Sequence, residues 1–171
     1  AQKVYPSAGI VLGSGLGRDV REFLALHRDR YATSSAEALN ASLVQRAILV
    51  DVRRAGRLAH VAGLRDRILA GDPELEVHVW DHHGAADDDV PAALERCEPV
   101  GSATTLLVEH MQRVQLSIDV MEATLFALGI HVDTGSFRYA GTTARDAAAF
   151  AWLLDRGARL AVINRYASLP F

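Results

Sequence analysis

Three short, uninterrupted apolar runs stand out along the chain, at residues 8–12, 47–50 and 77–80, each rich in branched side chains and each ending at Gly or Asp. A strand covered on both faces has no reason to alternate polar with apolar positions, so these runs predict central strands of a parallel sheet. Helical patterns fall between them. Val20, Phe23, Leu24 and Leu26 follow Gly17 as a short amphipathic stripe. Leu58, Val61, Leu64, Ile68 and Leu69 then recur every three or four residues until Gly71-Asp72-Pro73 stops them. The rhythm is βαβ.

Beyond residue 100 the pattern is almost wholly helical. Leu106, Leu107, His110, Met111 and Val114 share one face, Met121, Leu125, Leu128 and Val132 a second, and Ala147, Phe150, Leu153 and Leu154 a third. The Ala-rich stretch 143–156 runs into Gly157, the residue type that accepts the left-handed turn closing a helix. With no internal repeat or low-complexity linker, residues 1–171 read as one α/β domain, doubly wound, its mainly parallel sheet flanked by helices and its second half helical.

Composition narrows the picture little. Half of the 171 residues are hydrophobic, enough for a sizeable core in a single domain. Eighteen Lys and Arg against 21 Asp and Glu leave the chain mildly acidic, which excludes nucleic-acid binding by overall charge and leaves it to local Arg patches. One cysteine, Cys97, cannot form an intramolecular disulfide and reads as a buried structural thiol suited to a reducing cytoplasm. No apolar stretch reaches bilayer length, and no signal-peptide pattern opens the sequence. Ala1-Gln2-Lys3-Val4-Tyr5-Pro6 resembles the tail of a helix, and the uncapped Ser168-Leu169-Pro170-Phe171 is apolar, so a piece of a longer protein is expected.

The chemistry concentrates where the predicted strands end. Asp81-His82-His83 leaves the third run and leads into Gly84. The carboxyl edge of an open α/β sheet is where ligands sit. Consecutive imidazoles project in different directions, so one can bind a metal while the next faces an anionic substrate. Asp51 ends the second run in the same way, although Asp there also serves as a plain turn former. Asp133-Thr134-Gly135 closes the second helical pattern, and a carboxylate at a helix C-terminus opposes the helix dipole unless a cation relieves it. Asp51, His82 and Asp133 thus form a mixed carboxylate and imidazole set suited to Mn²⁺ or a related ion.

Gly101-Ser102-Ala103-Thr104-Thr105 precedes an apolar helix, where free amides and the hydroxyls of Ser102, Thr104 and Thr105 can cap the helix, cradle a phosphate, or both. Gly13-Ser14-Gly15-Leu16-Gly17 lacks dinucleotide-binding spacing and reads as a flexible loop, and Asp87-Asp88-Asp89 as a solvated turn. His27, His60, His78, His110 and His131 read as structural or surface residues.

A strand ending in Asp51, the triplet Asp81-His82-His83, the Gly101-x-x-Thr104-Thr105 helix start and a final Asp133-Thr134-Gly135 come in an order that resembles the DHH phosphoesterase superfamily. The segments Val20-Arg21-Glu22-Phe23-Leu24-Ala25-Leu26-His27, residues 101–109, Glu122-Ala123-Thr124-Leu125 and Thr142-Thr143-Ala144-Arg145-Asp146-Ala147 are most similar to the DHH domain that some bacteria fuse to CBS domains and a poly(A) polymerase or tRNA nucleotidyltransferase domain. The resemblance implies a phosphoesterase whose complete site holds two Mn²⁺ (or Mg²⁺) ions. Asp51 would bridge them and His82 and Asp133 would bind one ion. His83 would contact substrate phosphate, and Asp81 would support the histidines, so the catalytic set is Asp51, Asp81, His82, His83 and Asp133.

The resemblance also has gaps. Family members open with a His-x-Asp-x-Asp motif that this sequence lacks, since His27-Arg28-Asp29-Arg30-Tyr31 falls in or just after a predicted surface helix. The DHH-associated C-terminal domain is missing as well. The expectation is therefore a catalytic core truncated at both ends, holding at most one weak ion and nearly inert alone. The expected partners are a nucleotide or short RNA or DNA substrate and the absent DHH-associated, CBS and polymerase domains, with a homodimer also open. A non-catalytic RNA-binding module and a pyrophosphatase or exopolyphosphatase are the alternatives.

Overall fold

The computed structural model describes residues 3–13, 31 and 33–167. The stripe from Val20 to Leu26, His27 and most of the Gly13 to Gly17 loop lie outside the described residues. The first apolar run contributes only a two-residue strand, β1 (Ile10–Val11), paired in parallel with β2 (Thr33–Ser34) in a sheet of its own. The expected central position for this run is thus corrected.

The other two runs build the main sheet. Strands β3 (Arg46–Val50), β4 (Glu76–Asp81) and β5 (Leu94–Cys97) lie side by side in that order, all parallel. The central strand β4 buries Val77, Val79, Trp80 and Asp81, as a run covered on both faces should. The β3-to-β4 crossover is a 3₁₀ segment, Ala55–Val61, that runs into helix α1 (Ala62–Leu69). Leu58, Val61, Leu64 and Ile68 pack from it onto Ala47, Leu49, Val77 and Val79, forming the first core. Leu69 was expected on that face but stands 51% exposed, past the edge of the buried stripe. Gly71, at φ +66, ends the helix where the sequence predicts a stop.

Cys97 is half-buried against the first core, and burial pushes its thiol up to about 11, as befits an inert structural side chain.

Four further helices make up the second half: α2 (Ala103–Arg113), α3 (Val120–Asp133), α4 (Ala144–Asp155) and α5 (Leu160–Ala167). Asp119 caps α3 by accepting from the amides of Met121 and Glu122, while Glu122 accepts from the Asp119 amide in return. Val108, Met111, Ala123, Ala127, Ile130, Ala149, Leu153 and Ile163 form a second core among these helices. A small third cluster, Trp80, Val100 and Leu106, joins β4 to α2. Gly129 lets α2 and α3 approach, since a Cβ there would stand 2.8 Å from Thr104 Oγ1. Gly157, at φ +84, follows α4 as predicted. Among the described residues, no helix is long and apolar enough to cross a membrane.

Candidate metal centre

The site begins where β3 and β4 run out. The Asp51 amide donates to the Trp80 carbonyl at 2.9 Å, extending the ladder by one bond, and the chain then turns at φ +60. Asp is among the few residues with a side chain that visit this left-handed region, and strain of this kind gathers at functional turns. Asp81 is 1% exposed, and its carboxylate accepts from the His83 amide at 2.8 Å and meets His83 Nδ1 at 2.7 Å. That Asx turn folds the triplet back over the strand end. It also leaves Nε2 of the half-exposed His83 without a bond to Asp81.

His82 is held differently. Its Nδ1 lies 3.0 Å from the Val100 carbonyl, which can only accept, so Nδ1 carries the hydrogen. Nε2 then faces Asp51 Oδ1 at 3.2 Å. A bare imidazole lone pair against a carboxylate oxygen is repulsive, and a proton or a cation between them removes the repulsion. Among the described residues, ligand atoms of Asp51, His82 and His83 all lie within 4.8 Å of one another.

Asp133 arrives from the helical half as the last residue of α3. It lies outside that close trio, and Ser102 Oγ donates to its Oδ2 at 2.6 Å. Although the residue as a whole is exposed, desolvation of its carboxylate raises the pKa. The Ser102 hydrogen bond opposes that rise, the charge on Asp51 adds to it, and His82 and His83 oppose it. The site therefore sets two carboxylates close enough to repel, beside two imidazoles.

Beyond Asp133 the backbone is unusual. Gly135, Ser136 and Phe137 are consecutive left-handed residues at φ +56, +59 and +63. Each non-glycine residue there costs about 1–2 kcal/mol. Thr134 offsets the strain: its hydroxyl donates to the Ile130 carbonyl at 2.7 Å and accepts from the Phe137 amide at 3.1 Å. The Phe137 ring packs edge-on against Phe150 at 5.2 Å.

The Gly101 to Thr105 loop is organised around Asp146, which the sequence reading did not single out. Fully buried, Asp146 accepts from the Gly101 amide (2.8 Å), Thr105 Oγ1 (2.6 Å), and the Thr143 amide and hydroxyl (2.7 Å each). Ser102 caps α2 by accepting from the Thr104 amide and at the same time faces Asp133. Thr104 packs against Gly129, and the buried Thr105 hydroxyl is committed to Asp146, so neither side chain is brought to Asp51 and His82. Thr143-x-x-Asp146 carries a capping-box spacing that flags a helix start, but its partners 41 and 45 residues away leave no local trace.

Arg53 was missed too. Its Nη1 donates to the His83 carbonyl at 3.0 Å, and its Nη2 to Asp89 at 2.5 Å and Glu95 at 3.1 Å. The Asp87-Asp88-Asp89 run is thus more than a solvated turn, because Asp89 anchors the arginine that braces the triplet.

Gly101 tests this packing. A Cβ there would stand 2.8 Å from Thr134 Cγ2 and 2.9 Å from Asp146 Oδ2. Gly101→Ala is expected to cost about 2 kcal/mol through overpacking, measured by urea denaturation. A variant as stable as the wild type would show the loop to be looser than described.

No family model matches the chain. It is 32% identical over 170 residues, 98% of its length, to the A-adding tRNA nucleotidyltransferase of Geobacter sulfurreducens. It is 35% identical over 165 residues, 95% of its length, to the enzyme of the same name from Aquifex aeolicus. The chain spans 19% and 18% of those two proteins. Among solved structures, it matches an exopolyphosphatase-related protein from Bacteroides fragilis with a TM-score of 0.73, 16% identity and coverage of 95% of this chain and 47% of that one. A candidate family II inorganic pyrophosphatase from Methanococcus jannaschii matches with a TM-score of 0.60, 18% identity and coverage of 90% and 48%. At such identities these two likenesses speak for the fold.

Proposed function

We propose that the chain, which resembles the exopolyphosphatase-related and pyrophosphatase structures in fold and tRNA nucleotidyltransferases in sequence, is the DHH-type core of a Mn²⁺- or Mg²⁺-dependent phosphoesterase acting on nucleotides or short nucleic acids. One observation carries this: His82 gives its hydrogen to the Val100 carbonyl and turns its Nε2 onto the Asp51 carboxylate. That is a donor pair awaiting a cation.

Asp51 and His82 hold the metal, with Asp133 as the further carboxylate, and Ser102 aims Asp133. His83, oriented by Asp81, meets the substrate phosphate through Nε2. Arg53 fixes the carbonyl of the same residue, so the imidazole does not swing away when phosphate arrives. A bound divalent cation supplies charge neutralisation for the phosphate and lowers the pKa of an attacking water. The likeness to tRNA nucleotidyltransferases favours a second reading, in which the domain holds RNA ends without cleaving them. Mn²⁺-dependent RNA retention without turnover in the full-length protein would decide for it.

Asp51, His82 and Asp133 offer few donors for two ions. Titration of the 171-residue chain with Mn²⁺, followed by electron paramagnetic resonance, is expected to show at most one weakly held ion, lost in Asp51→Ala and His82→Ala. Two tightly held ions, or an ion indifferent to both substitutions, would overturn the assignment.

A further inference from the structure

The left-handed turn after Asp133 places an aromatic side chain at the rim of the site. The Cδ1, Cε1 and Cζ edge of the Tyr139 ring occupies the space a Cβ would fill on Gly135, so only glycine at 135 lets the ring settle against the backbone. Gly135 sits at φ +56, and the Tyr139 amide donates to the Thr134 carbonyl at 3.0 Å, so both ends of the contact are fixed. Despite that seating, Tyr139 is 49% exposed. A tyrosine held along one edge and left half in water costs little entropy to hold in place, and it offers a π surface with a polar tip.

Its position gives the surface a use. Gly135 is two residues from Asp133, at most about 7 Å along the Cα trace. Asp133 in turn accepts from Ser102 Oγ at 2.6 Å, two residues beyond the Val100 carbonyl that holds His82. The ring is therefore seated on the turn that leaves Asp133, at the border of the candidate metal centre. We propose that Tyr139 is a stacking platform for the nucleobase of the nucleotide whose phosphate meets His83, which makes the preferred substrate class nucleotidic rather than inorganic phosphate chains. This rests on the phosphate-binding reading above, and Tyr139 is its specificity residue, remote from the reacting atoms.

The test uses the full-length protein with Mn²⁺ and two probes, AMP and inorganic phosphate, with affinities measured by calorimetry. Tyr139→Ala is expected to weaken AMP about tenfold, the usual scale of one base–aromatic stack, and to leave phosphate unchanged. Tyr139→Leu keeps an apolar contact over Gly135 and should lose AMP as the alanine variant does. Tyr139→Phe and Tyr139→Trp should retain it. Equal AMP affinity in wild type and Tyr139→Ala, parallel loss of AMP and phosphate, or absence of AMP binding in the wild type would each overturn the platform. Failure of the hydrolase reading looks different: a wild type that cleaves neither dinucleotide nor pyrophosphate while the AMP-selective loss persists keeps the platform and removes the catalysis.

Discussion

Asp51→Asn is expected to lower kcat/KM of the full-length protein toward a Mn²⁺-dependent phosphoester substrate by at least about a thousandfold, equivalent to about 4 kcal/mol of transition-state stabilisation. The substitution isolates charge from fold. Asn tolerates the left-handed turn at φ +60 as Asp does, and the backbone amide still donates to Trp80. What changes is the partner of His82 Nε2, since an amide group can donate a hydrogen to the lone pair that a carboxylate repels. The incentive for a cation disappears with the negative charge. Steady-state kinetics on a dinucleotide and on pyrophosphate, beside circular dichroism to verify folding, give the comparison. Activity within tenfold of wild type in a folded Asp51→Asn protein would remove Asp51 from the centre of the chemistry.

Asp146→Ala should be the most destabilising substitution near the site, at about 4 kcal/mol, because it strands the buried donors of Gly101 and Thr105 and loosens the cap at Thr143. Its pH dependence has a defined sign. Burial alone would raise the Asp146 pKa, but hydrogen bonds from the Thr105 and Thr143 hydroxyls and the Gly101 and Thr143 amides outweigh it, and the folded value falls below the ordinary 3.8. The stabilisation is therefore complete above the ordinary value and is lost as pH falls through the lower folded one. Urea titrations of wild type and variant should differ most near neutrality and converge in acid below about pH 3.8. A gap that stays constant into acid would show that the carboxylate charge is not what holds the loop.

The parts of this protein that could be read from sequence are those whose cause is local. Strands β3 and β4 announce themselves because a doubly covered strand is apolar throughout, and α2, α3 and α4 because apolar residues recur every three or four positions. Helix α3 nevertheless buries Ala123, Thr124, Ala127 and Ile130 rather than the expected face of Met121, Leu125, Leu128 and Val132, since the close approach of neighbouring helices selects its small side chains. Strand β5 is Leu-Glu-Arg-Cys, four residues with two charges at its centre, and it exists by pairing with β4 and by the Arg53 to Glu95 contact. No local pattern encodes such a strand. The two-residue pairing of Ile10–Val11 with Thr33–Ser34 is equally hidden, so the apolar run around Ile10 predicts a central strand while the structure puts it in a separate two-stranded sheet. The triplet and Asp51 were legible as side chains at strand exits. Their supports were not, because the bond that orients His82 comes from a main-chain carbonyl, which every residue possesses, and Asp146 reaches Gly101 across 45 residues.

The Val100 carbonyl that holds His82 and the Gly101 amide that meets Asp146 belong to one peptide bond. That unit is planar and stiff, with C=O and N–H pointing in opposite directions. Negative charge at the amide end polarises the unit and makes the carbonyl end a stronger acceptor, as in any chain of linked hydrogen bonds. The imidazole thereby gains electron density, and its outer nitrogen becomes the better donor to a cation. Asp146 thus connects to His82 through an intervening amide, without touching the ring. The same plane ties the start of α4, through Asp146, to the carbonyl that orients the imidazole.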